Sequence, residues 1–113
     1  MVTSILNSIK EALGVGTEAS PFDGELTMHI NTVLMRSFQL GVGETPFRIT
    51  SDEEEWDDLL GDREDLEGIK TYVYLKVKLL FDPPQNSFLV EAIKNQIAEL
   101  EFSLNIQAEG ESS

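Results

Sequence analysis

Between residues 62 and 81 the apolar side chains do not keep to one side of a helix. Leu66, Ile69, Val73, Val77 and Leu80 recur at three- and four-residue steps, the spacing of a single helical face. Tyr72, Tyr74, Leu75, Leu79 and Phe81 then carry apolar surface around the rest of the cylinder. A helix that is apolar on most sides has to be buried on most sides. In a chain of 113 residues such a helix is either the central one or one that faces a neighbouring subunit. Asp82-Pro83-Pro84 ends it abruptly, because proline lacks the backbone donor and restricts the residue before it.

The segment that follows, residues 86–105, carries Leu89, Ile93, Ile97, Leu100 and Leu104 as one stripe, with Phe88, Val90 and Phe102 off it. At about 1.5 Å per residue it spans roughly 30 Å, enough to lie antiparallel along its predecessor. Upstream, Ile5, Leu6, Ile9 and Leu13 predict a helix over residues 4–13, stopped by Gly14. Leu26, Ile30, Val33, Leu34 and Phe38 predict another over residues 23–40, stopped by Gly41. Ser51 and Glu54 have capping-box spacing ahead of a short helix with Trp56, Leu59 and Leu60, closed by Gly61. Residues 42–50 are turn-rich, and Phe47 and Ile49 flank Arg48 as in a very short strand or an ordered loop.

The fold class is therefore all-α: an antiparallel bundle of about five helices, with two long C-terminal helices and a short extended loop. With 41% hydrophobic residues the chain can build a core without staples, burying roughly two-thirds of its unfolded surface. One domain, residues 1–105, is followed by residues 106–113, a polar, acidic segment with Gly110 and terminal serines that reads as a flexible tail. There are no internal repeats. The aromatics Trp56, Tyr72, Tyr74, Phe81 and Phe88 belong either to the core or to an interface, with the core favoured.

The charge narrows the function. Twenty-one acids face eight bases, for a formal charge of −13, and the bases form no run. Sequence-independent binding to nucleic acid needs a cationic patch that displaces counterions, and none is evident. Acidity of this size instead repels DNA, keeps a protein soluble, or complements a basic partner. Cysteine is absent, which excludes disulfides and thiolate metal sites and suits a reducing compartment. No stretch approaches the roughly 20 apolar residues of a membrane span. The first thirteen residues hold one lysine and no cleavage signal, so an intracellular location is expected.

No catalytic or cofactor constellation stands out. Residues 52–58 form an acid cluster, but Trp56 interrupts it and the central glycine of a calcium loop is missing. Acids at a helix N-terminus on a solvated face account for it. His29, the single histidine, has no second ligand at a metal-binding step. Gly14-Val15-Gly16 and Gly41-Val42-Gly43 follow no strand and precede no P-loop lysine, and they read as helix stops. An enzyme, a cofactor and a metal site are all unexpected.

The run from Ile69 to Pro84, with Ser87-Phe88 and Ile97-Ala98-Glu99-Leu100-Glu101 after it, resembles the small head–tail connector (adaptor) proteins of tailed bacteriophages. Met28-His29-Ile30-Asn31, Gln39-Leu40-Gly41-Val42-Gly43 and Trp56-Asp57-Asp58-Leu59-Leu60-Gly61 are similar to the same group, so the likeness reaches to about Gln107. The resemblance implies a structural virion protein of the neck, assembled in the host bacterial cytoplasm. It further implies a ring of copies beneath the portal, dodecameric if it follows the portal, that extends the DNA channel and offers a platform to neck and tail components. Ring closure needs a head-to-tail interface between copies.

On that basis Tyr72, Tyr74, Leu75, Leu79, Phe81 and Phe88 are candidates for the subunit interface. Phe47, Arg48, Ile49, Ile106, Gln107, Ala108 and Glu109 are candidates for portal or neck contacts. Asp52, Glu53, Glu54, Asp57 and Asp58, with residues 62–65, are candidates for a channel wall that repels passing DNA. The departure from the family pattern is the Glu-rich, Ser-ended tail. The rival reading is an acidic DNA mimic or inhibitor, acting as a monomer or dimer on a basic nucleic-acid-binding partner. The heavily apolar fourth helix favours assembly over mimicry.

Overall fold

The computed structural model describes residues 4–43, 45–61 and 67–112. Among the described residues there are five helices: α1 (Ile5–Leu13), α2 (Asp23–Gln39), α3 (Trp56–Leu60), α4 (Gly68–Phe81) and α5 (Ser87–Ser112). Among the described residues there is no strand, only an isolated antiparallel bridge between Ser4 and Glu55. The all-α expectation holds.

Local chemistry sets the ends. Ser4 caps α1, its hydroxyl accepting from the Asn7 amide at 3.1 Å. Gly14 closes α1 in the left-handed conformation at φ 81°, a conformation that glycine adopts without steric cost. Ahead of α5, the Asn86 side chain accepts from the Phe88 and Leu89 amides. The short α3 starts at Trp56, and its capping box is made by Glu55 and Asp58. The expected box of Ser51 and Glu54 does form a local clasp, in which Thr50 and Ser51 both donate to the Glu54 carboxylate. It closes a turn before the helix rather than the helix itself. Two boundaries also differ from the sequence reading. Helix α4 starts at Gly68, and residues 62–66 lie outside the described set. Helix α5 continues beyond Asn105 to Ser112.

Helix α4 is the centre. It packs against α1, α2 and α5, and Ile69, Tyr72, Val73 and Val77 are completely enclosed. Ile5 and Ile9 of α1, Leu26, Ile30, Val33 and Leu34 of α2, and Ile97 and Leu104 of α5 surround them in one contiguous core. Trp56 is buried too, its indole N–H donating to the Ser8 hydroxyl at 2.9 Å. Lys10 is buried as well, and its ammonium is held by Asp23 at 2.7 Å and by the Glu18 carbonyl at 2.7 Å. This ion pair ties α1 to the start of α2. Lys10 holds the Asp23 carboxyl below its ordinary range, against a weaker upward push from burial.

Candidate assembly surfaces

What α5 presents to solvent depends on how it is rotated, and contacts of three of its side chains, Glu101, Asn105 and Ala108, fix that rotation. The Tyr72 phenol on α4 donates to Glu101 at 2.6 Å. Arg36 of α2 and Lys76 of α4 stand 3.5 and 3.7 Å from the same carboxylate. Burial pushes the Glu101 carboxyl up, but the bonds from Tyr72 and Arg36 and the Lys76 charge outweigh it and hold it low. Burial and the adjacent carboxylate push the Tyr72 phenol well above its usual range. One turn on, Asn105 donates its side-chain amide to the Leu40 carbonyl at 2.9 Å. Ala108, also buried, lies against Gly41, where an added Cβ would come within 3.0 Å of the alanine methyl.

With Glu101, Asn105 and Ala108 turned toward the bundle, Phe88, Ala92, Asn95, Glu99, Phe102 and Ile106 form the outward face, since they fall on one side at 100° per residue. All six are exposed. Phe88 is 85% and Phe102 69% accessible. Leu89 and Ile106 are also open. Large side chains left in water at this level on one helix make an unsatisfied apolar face.

The second surface is an open groove of about 730 Å³ along α2. Met28 and Met35 supply its apolar part, and Arg36 and Arg48 its charge. The loop that carries Arg48 is positioned by Asn31, whose amide accepts from the Ile49 N–H at 2.7 Å and donates to the Ile49 carbonyl at 2.9 Å. This pair imitates a strand contact, so Ile49 points inward while Arg48 points out, as the alternation of residues 47–49 predicts.

The third surface is the acidic loop. Asp52, Glu53, Asp57 and Asp58 are exposed. Asp58 is engaged locally, accepting from the Glu55 amide at 2.8 Å. Glu54 is half-buried, and hydrogen bonds from Thr50 and Ser51 hold its carboxyl low despite the upward push of burial. The carboxylates of Asp52, Glu53 and Asp57 have no hydrogen-bond or ion-pair partner among the described residues.

The residues singled out from the sequence are thus distributed unevenly. Tyr72 and Leu75 are buried inside a single copy, so they offer no surface to a second one. The reason is that α4 is enclosed by its own chain. Tyr74, Leu79 and Phe81 are half-buried against the core, Phe81 meeting the edge of Phe22 at 5.5 Å between centroids. Phe88 alone of the six stands fully out. Of the expected portal contacts, Arg48, Ile106 and Gln107 are exposed and Phe47 is half-buried. Ile49 and Ala108 are internal. The Glu109 side chain and residues 62–65 lie outside the described set.

Sequence reading did not single out Phe102 as an exposed aromatic and missed the groove. The first was available in principle, because Phe102 sits fourteen residues from Phe88 and off the buried stripe. The groove had no signal, since it depends on where the Arg48 loop lands.

His29 stands 3.5 Å from Glu25, one turn back. No group of three metal-ligating side chains occurs among the described residues, and no helix there is long and apolar enough to cross a membrane.

No curated protein and no solved structure matches the chain. A family model described as phage connector protein matches residues 5–111, nearly the whole chain. A match of that extent, on a fold of the expected class, places the chain in the phage connector protein family.

Proposed function

We propose that the protein is the repeating subunit of a ring that sits beneath the portal, extends the DNA channel and provides a platform for neck and tail components. Membership of the phage connector family supports the structural role. The observation that carries the ring is the outward face of α5, where Phe88 and Phe102 stand in water although the chain has a well-filled core. Burying a phenylalanine contributes roughly 1.5–3 kcal/mol, so a face with two of them gains by acquiring a neighbour. The charge of −13 per copy suits a channel through which a polyanion slides without sticking. Asp52, Glu53 and Asp57, with carboxylates unengaged among the described residues, are the proposed wall. A DNA mimic has no comparable use for the aromatic face.

The deciding experiment is the mass of the purified protein by light scattering, alone and then with portal particles, followed by particle imaging. A ring in solution, or a monomer that becomes a ring on the portal, supports this reading and fixes the copy number. A monomer that ignores portals and competes with DNA for a basic protein sinks it.

A further inference from the structure

Copies that each carry −13 repel one another, so a contact between them is favoured at a place where opposite charges meet. The α2 groove is such a place. Two of the chain's eight bases, Arg36 and Arg48, line it, and no carboxylate does among the described residues. Arg36 is already shared with Glu101 of its own copy, at 3.5 Å. Arg48 has no partner among the described residues. The stretch from Glu99 to the end of the sequence has the opposite character, with four acids and no base, although Glu101 among them is engaged within its own copy.

The apolar parts match as well. Met28 and Met35 are 63% and 48% exposed, and methionine adapts its shape to what enters. The two lie seven residues apart, about 10 Å along α2. Phe102 and Ile106 are one turn apart on α5, about 6 Å. A pair of that span fits between the two methionines as a ridge fits a groove. Within one copy the pairing is impossible. The side of α5 that reaches α2 carries Glu101, Asn105 and Ala108, and Phe102 and Ile106 lie round the cylinder from it.

We infer that the outward face of α5, at Phe102 and Ile106, seats in the Met28–Met35 groove of the next copy, with Arg48 meeting the acidic end of that helix. The inference rests on the ring reading and names the two surfaces that close it. Because the surfaces differ, the contact is head-to-tail, as a ring demands.

The absence of cysteine from the chain allows a clean test. One preparation carries Met35→Cys and another Ile106→Cys, both at half-exposed positions that leave the core intact. The two are mixed, assembled alone or on portal particles, and oxidised. Cysteines bridge only when their Cα atoms come within about 7 Å, so a mixed disulfide is expected and neither preparation alone should cross-link. Arg48→Glu should weaken assembly at least about tenfold while the helical content stays unchanged.

Assembled particles without the mixed disulfide overturn the inference and leave the ring standing. A photo-reactive probe on Met35→Cys that labels the portal or a neck component instead also overturns it, by giving the groove another occupant. Failure to assemble under any of these conditions overturns the inference and the ring together.

Discussion

Helices α4 and α5 lie side by side and are both rich in large apolar residues, yet water treats them differently. On α4, Ile69, Tyr72, Val73, Leu75 and Val77 are buried, enclosed by α1, α2 and α5. Among the described side chains of α5 only Ile97, Leu104 and Ala108 are buried, while Phe88, Leu89, Phe102 and Ile106 face outward. An apolar surplus in a sequence therefore does not say which helix meets a partner. A helix with apolar surface nearly all round can be satisfied for the most part by its own chain when three neighbours surround it, and on α4 it is Leu80 that is left half-exposed. The peripheral helix has one buried side, and anything large on its other side stays in solvent until a second molecule covers it.

The sharpest way to break this contrast is a charge in the middle of α4. Val77→Asp puts a carboxylate in a fully enclosed site with no partner, and it should cost about 4 kcal/mol or more. Urea denaturation of the isolated protein would read this as loss of the folded baseline. Leu75→Asp should act the same way, by unfolding the subunit and only thereby preventing assembly. A soluble, helical Leu75→Asp protein that fails to assemble would return Leu75 to the interface.

A smaller effect tests how the end of α5 is held. Gly41 adopts φ +104° and approaches Ala108 closely. Gly41→Ala meets both the backbone strain and the alanine methyl, so a loss of about 2 kcal/mol is expected. The change should appear as faster amide exchange in the last turns of α5, with α4 unaffected. Equal loosening of both helices would mean that they do not differ in how they are anchored.

Smaller again is the Tyr72 bond. Tyr72→Phe removes the donor to Glu101 while Arg36 and Lys76 stay near it, for a cost of about 1 kcal/mol. The pH dependence follows from the carboxyls held low. Asp23, Glu54 and Glu101 titrate below their ordinary values of 3.8, 4.5 and 4.5 in the folded protein. In acid the unfolded chain therefore binds more protons than the folded one. Their stabilisation is complete above those ordinary values and is lost as pH falls through the lowered ones. Tyr72 works in the other direction, since its raised phenol contributes below the ordinary value of 10.0 and loses that contribution as pH rises beyond it. Thermal melts from pH 7 to pH 2 should show wild type losing more of its stability than Tyr72→Phe, whose Glu101 is less depressed.

Much of the fold was legible because its signals are local. Gly14, Gly61 and Asp82 end their helices where the sequence reading places the stops. Of the stripe residues, Ile5, Ile9, Leu26, Ile30, Ile69, Val73 and Val77 are in the core, whereas Leu80 and Leu89 are half-exposed. The extent of α5 was not legible from composition, which makes a Glu-, Gly- and Ser-containing end look unstructured. The stripe itself held the clue: Ala108 stands one turn after Leu104, and both are buried. The assembly surfaces were the least legible part. Periodicity gives the phase of each helix, but whether a phase faces core or water depends on which neighbours lie across it. Tyr72 and Phe88 look alike in sequence and end at 0% and 85% exposure.

The mildest substitution discriminates most finely, because its predicted effect on the subunit is almost nothing. Phe88→Ser with Phe102→Ser removes two rings that make little use of their own chain, so the unfolding free energy should move by no more than about 0.5 kcal/mol. Assembly should nevertheless be lost, since the proposed ring contact is anchored on this face of α5. The two readouts separate the helices cleanly: an α4 core change lowers stability first and assembly as a consequence, whereas this pair lowers assembly alone. A double variant that melts much earlier than wild type would show that α5 is covered within the copy. A double variant that assembles normally would show that the ring closes through another face.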